Sequence, residues 1–230
     1  MLAPYFEKNK PELTTVGKIM SCDCDVSFAG GWSSHNPPQK LMESYGKSIK
    51  DISVFYDWTR YSCVKGMKDL IDEIIKKIEY EVYKRDIDEK NVLIGQGSTE
   101  MTSALFKILL RDNDEVILLD PCYLNYSTQI LLENKNVKIN KIKVISEEFK
   151  YKDKIFDEIK NVLSEKTVKL IVFTVPDNPT GKIPEEKDFI EILNLARNRG
   201  AYVILDYAYR GFTYIDTPKY YRFTYKNFDN

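Results

Sequence analysis

Apolar residues recur along most of this chain at two spacings, and the two alternate. From Met67 to Arg85 the segment MKDLIDEIIKKIEYEVYKR sets Met67, Leu70, Ile71, Ile74, Ile75, Ile78 and Val82 at helical steps, which predicts an amphipathic helix. The short apolar run NVLIG follows, then TEMTSALFKILL with helical spacing, then EVILLD, a buried strand ending at Asp120. Next the pattern predicts a helix over Leu124 to Glu133, a strand in the alternating VKINKIKVI and a helix in DKIFDEIKNVL. A fully buried strand in VKLIVFTV, a helix from about Glu185 to Asn198 and a strand in AYVILD complete the series. Such alternation predicts an α/β fold, with three α/β/α layers and a mostly parallel sheet covered on both faces.

The first 60 residues differ in character. Pro4, Pro11, Pro37 and Pro38, the turn signal GGW at 30 to 32 and weak periodicity predict an arm and irregular segments leading into the sheet domain. At the other end, KYYRFTYKNFDN looks like the opening of one more strand with no helix to cover it. An uncovered strand exposes apolar surface and an unpaired edge, so a fragment of a longer protein is expected.

Composition narrows the function classes. With 230 residues, 43% hydrophobic and 30% charged, the chain is long enough to bury a core without disulfides. Its 34 basic and 35 acidic side chains leave a net charge of −1, so no overall positive field points to nucleic acid or an anionic membrane. The apolar runs are too short to cross a bilayer and MLAPYFEKNK is too polar for a secretion signal, so a cytoplasmic location is expected. Cys22, Cys24, Cys63 and Cys122, with the single His35, lack the paired spacing of zinc sites, and no metal centre is expected.

Parallel sheets bind ligands at the carboxyl ends of their strands. Four segments are expected there: GQGSTE, PCYLNY, PDNPTGKIP and DYAYRGF. In the first, glycines before Ser98 and Thr99 at a helix start suit a phosphate, although an ordinary capped turn explains the same residues. A dinucleotide fingerprint competes, with Asp120 placed for a ribose, but Glu100 stands where that fingerprint wants a glycine for close packing and would repel a diphosphate. PDNPTG is a rigid turn that aims Asn178 at the rim, with Gly181 allowing the reversal. Asp206, ending a buried strand, needs a cationic partner such as a protonated heterocyclic nitrogen, and Tyr209 lies three residues on.

In this order and spacing, GQGSTE, PCY, NPTG and DYAY resemble the large domain of pyridoxal-phosphate-dependent aminotransferases of fold type I, the class I and II group. The resemblance covers roughly residues 45 to 210 and includes YSCVKGMKDL, similar to the family's tyrosine followed by a glycine and a helix. It implies that Ser98 and Thr99 hold the cofactor phosphate, that Tyr123 stacks on the pyridine ring, and that Asn178 and Tyr209 bond its phenolic oxygen. Asp206 would pair with the ring nitrogen, and Tyr61 would reach the phosphate of the neighbouring subunit in a homodimer. The implied substrates are an amino donor and a 2-oxo acid acceptor. Residues 1–45 would be an arm and small-domain segment, and 46–230 the cofactor-binding domain. The family's imine-forming lysine has no match after Tyr209, because Lys219 and Lys226 follow too soon and lack its pattern. A lyase or decarboxylase of the same fold, or a noncatalytic nucleotide-binding or dimerising α/β module, are the alternative functions.

Overall fold

The computed structural model describes residues 35–133, 136–152 and 154–213. The chain divides into two compact units, Met1–Met67 and Lys68–Asn230.

In the first unit, helix α1 (Gln39–Lys50) is followed by α2 (Ile52–Trp58). For residues 39–58 this corrects the expectation of an arm and irregular segments over the first 60 residues, of which 1–34 lie outside the described residues. Pro37 and Pro38 only precede α1, where a proline costs no helix hydrogen bond, and Leu41, Met42, Tyr45 and Ile49 then follow a helical spacing. Asp51 separates the helices and caps α2, its carboxylate accepting from the Ser53 and Val54 amides.

The second unit opens with α3 (Lys68–Glu73), which runs on as a wide-turn π-helix over Ile74–Val82. There follow a 3₁₀ turn (Glu89–Asn91), α4 (Gly97–Leu109), β1 (Glu115–Asp120), α5 (Asn125–Glu133) and β2 (Lys138–Lys143). Then come α6 (Ile155–Glu165), β3 (Val168–Thr174), α7 (Glu186–Asn198) and β4 (Tyr202–Asp206). The four strands are all parallel, in the order β2-β1-β3-β4.

Alternation along β1 and β3 builds both faces of the sheet. Ile117, Leu119, Ile171 and Phe173 pack with Ile155, Ile159 and Leu163 of α6 and Phe189 and Ile192 of α7. Val116, Leu118, Leu170 and Val172 pack on the opposite face with Phe106 of α4 and Tyr126 and Ile130 of α5. Each such side chain contributes about 1.5–3 kcal/mol of burial, so the two-sided apolar strands hold the three layers together. From β1 the chain passes through α5 to β2 on one side, and β3 lies on the other. A topological switch point therefore falls between β1 and β3, where such sheets open a crevice.

One expected strand is absent from the sheet. Val92–Ile94 pairs with no strand among the described residues and Leu93 is exposed, so GQGSTE enters α4 from an unpaired segment. A run this short has no distinguishing period, and only pairing decides its state.

Candidate functional site

Asp206 closes β4, in register with Thr174 at the end of β3. Its side chain is buried, with 7% of the residue exposed, and both oxygens are engaged. The Ala208 amide donates to Oδ1 at 2.9 Å, and the Tyr126 hydroxyl donates to Oδ2 at 2.8 Å. Tyr126 Oη also lies 2.8 Å from Thr174 Oγ1. Burial, first among the causes, raises the Tyr126 pKa well above that of an ordinary phenol, so its proton stays in place and the group acts as a donor. Its ring is fixed edge-on against Phe106 and Tyr123, with centroids 6.3 and 5.4 Å away.

Tyr123 follows β1 and is half-buried, its Oη accepting from Asn125 Nδ2 at 2.8 Å. Asn178 follows β3 in a closed turn. The Gly181 amide donates to Asp177 O at 2.7 Å and the Asp177 amide to Lys182 O at 2.8 Å, with Gly181 in the left-handed region at φ +68°. Within the turn the Thr180 hydroxyl bonds the buried Asp177 carboxylate. Asn178 Nδ2 reaches Tyr209 Oη at 3.4 Å, a loose contact that leaves both groups polar capacity toward the rim.

The start of α4 provides a different kind of place. Gly97 adopts φ +80°, which a side chain would strain, and Ser98 and Thr99 follow in the exposed first turn. First-turn amides lack intrahelical acceptors and sit at the positive end of the helix dipole. The Glu100 carboxylate turns back to the Gln96 amide and holds the bend that leads into the helix. Gln129 of α5 donates to Thr99 O at 2.8 Å and accepts from Thr102 Oγ1 at 2.9 Å. This bridge ties the helix start to the element that carries Tyr126.

The structure thus sets Tyr123, Asn178, Asp206 and Tyr209 at the carboxyl end of the sheet, with Ser98 and Thr99 opening α4. Tyr61 lies in the first unit and is fully exposed. Lys219, Lys226, Cys22 and Cys24 lie outside the described residues. Sequence reasoning missed Tyr126 and Thr174. Tyr126 falls three residues after Tyr123, and Thr174 ends its strand as Asp206 ends the next, but only the strand register shows that the three meet.

The family model described as aminotransferase class I and II matches residues 30–227. The chain belongs to that family. Among curated aminotransferases, the aspartate aminotransferase of Thermotoga maritima is 31% identical over 192 residues, covering 83% of this chain and 48% of its own length. The aspartate aminotransferase of Pyrococcus horikoshii is 24% identical over 197 residues, covering 85% of this chain and 47% of its own. The chain thus spans about half the length of the curated relatives it matches. A solved aspartate aminotransferase from Thermotoga maritima superposes with a TM-score of 0.73 at 21% identity, covering 97% of this chain and 59% of that one. This likeness supports the fold of the aminotransferase.

Proposed function

We propose that this chain is the pyridoxal-phosphate-binding portion of an amino-acid aminotransferase, taking an amino donor and a 2-oxo acid acceptor. The observation that carries the proposal is Asp206, a buried carboxylate at a strand end that no lysine or arginine pairs with among the described residues. A protonated ring nitrogen supplies the missing positive charge. The other residues fit the same group. Ser98, Thr99 and the α4 amides suit its phosphate, the Tyr123 ring suits stacking on a flat heterocycle, and Asn178 with Tyr209 suits its phenolic oxygen. In this proposal residues 46–230 form the cofactor-binding domain and 1–45 an arm and small-domain segment. Tyr61 serves the partner subunit's phosphate in a homodimer, and the protein works in the cytoplasm.

Bound there, pyridoxal phosphate supplies an electron sink for the α-carbon of an amino acid. Asp206 keeps the ring nitrogen protonated, and Asn178 and Tyr209 hold the phenolic oxygen by hydrogen bonds. Tyr123 keeps the ring flat, and the first turn of α4 fixes its phosphate end.

Titration of the purified chain with pyridoxal phosphate and with pyridoxal tests this. Replacing Ser98 and Thr99 together by alanine is expected to weaken the phosphate ester by at least about tenfold, from lost charge-assisted hydrogen bonds, and pyridoxal far less. Equal losses for the two ligands would reduce the α4 start to a structural cap.

A further inference from the structure

Three hydroxyl and carboxyl groups meet beneath the rim: Thr174 Oγ1, Tyr126 Oη and Asp206 Oδ2, joined by two contacts of 2.8 Å. All three residues are buried, with 5%, 1% and 7% of their surfaces exposed. Proton accounting fixes the direction of the chain. An ionised carboxylate only accepts, so the single Tyr126 hydroxyl proton points to Asp206. The contact between Tyr126 and Thr174 must then be donated by Thr174, since Tyr126 has no second proton to give. Hydrogen bonds ordered this way polarise one another, and the whole set favours negative charge at its end. Asp206 Oδ1 accepts from the Ala208 amide and keeps lone-pair capacity for a further donor.

We propose that Thr174 and Tyr126 are positioning residues that act in series, Thr174 through Tyr126, to keep Asp206 charged and aimed at a ligand's protonated ring nitrogen. This assignment rests on the proposed function, in which Asp206 meets that nitrogen. The framework accounts for the pairing of residues so far apart in sequence: Thr174 and Asp206 are register partners on neighbouring parallel strands, and α5 lays the Tyr126 ring across their ends.

The test compares two ligands on the purified chain: pyridoxal phosphate, and its 1-deaza analogue, in which C–H replaces the ring nitrogen. The wild-type chain is expected to prefer pyridoxal phosphate. Tyr126→Phe, which keeps the packed ring, should shrink that preference about tenfold, the worth of one charge-assisted hydrogen bond. Thr174→Val should shrink it by a smaller factor, Thr174→Ser should restore it, and the double variant should match Tyr126→Phe alone, because residues in series are not additive. Binding of both ligands weakened equally by Tyr126→Phe would show a packing role only and overturn the inference. So would effects of Tyr126→Phe and Thr174→Val that multiply. A wild-type chain without preference overturns Asp206 as the nitrogen anchor, and the series with it. A wild-type preference that survives Tyr126→Phe overturns the series alone.

Discussion

Asp177 and Asp206 are both buried near the carboxyl end of the sheet, but their carboxylates do different work. Asp177 braces the turn that presents Asn178, and burial, which outweighs its hydrogen bonds from Thr180 and the backbone, raises its pKa above the ordinary 3.8. A carboxyl raised on folding contributes stability that is full below the unfolded value and is lost as pH rises through the folded one. Asp177→Asn, which keeps an acceptor for Thr180, should therefore be more stable than wild type at neutral pH, with the gap closing on acidification. Urea midpoints at pH 4 and pH 7 check this, and a gap that widens in acid would contradict it. A second residue-scale contrast concerns the thiols. Cys122 is half-buried and burial pushes its thiol up to about 11, whereas Cys63 is exposed. Since the thiolate is the nucleophile, alkylation near pH 8 should modify Cys63 well before Cys122, as peptide mapping of timed samples would show. The candidate site residues Ser98, Thr99, Tyr123, Asn178, Asp206 and Tyr209 were legible in the sequence because each ends or follows a strand or opens a helix. Tyr126 and Thr174 were not, since a tyrosine in an amphipathic helix and a threonine ending a strand look like packing until the register brings them to Asp206.

At the scale of elements, the wide-turn helix over Ile74–Val82 is the feature the hydrophobic spacing did not foretell. Its apolar steps fit an ordinary helix, and the deviation accompanies a polar cluster assembled from distant parts of the chain. Glu79 binds Arg85 Nη1 at 3.2 Å and Arg210 Nη1 at 3.1 Å, while the Arg210 guanidinium lies 3.3 Å from the Tyr83 ring centroid. Arg210 directly follows Tyr209, so the cluster anchors the DYAY turn to the helix. Burial lowers the Arg85 pKa, with Arg210 acting in the same direction and Glu79 opposing. Glu79→Ala takes a bridging carboxylate away from two buried cations and should cost about 3–5 kcal/mol in denaturant unfolding. A loss below about 1 kcal/mol, the range of exposed pairs, would show that the cluster is not an anchor. Elsewhere the elements follow the pattern closely. β1 coincides with EVILLD, and the helices from α4 onward differ from expectation only at their ends, where fraying and capping decide the boundary. The two early helices were obscured by prolines that precede α1 rather than interrupt it.

For the whole molecule, the parallel order β2-β1-β3-β4 converts separate motifs into one rim, because PCY, NPTG and DYAY each leave the same end of neighbouring strands. Strand alternation made the layered fold legible, whereas strand order was not, since it depends on which edge each crossover reaches. The proposed homodimer assigns Tyr61 to the partner subunit's site. If so, Tyr61→Ala should weaken pyridoxal phosphate binding in dimeric fractions and leave monomeric fractions unchanged in a size-resolved titration. The central claim is that these residues form one cradle for pyridoxal phosphate. A crystal structure of the 230-residue chain with that ligand tests it most directly. The account predicts its phosphate at the first turn of α4 beside Ser98 and Thr99, its ring on Tyr123, and its ring nitrogen within hydrogen-bond distance of Asp206. A ligand seated elsewhere, or turned so that its ring nitrogen faces away from Asp206, would contradict it.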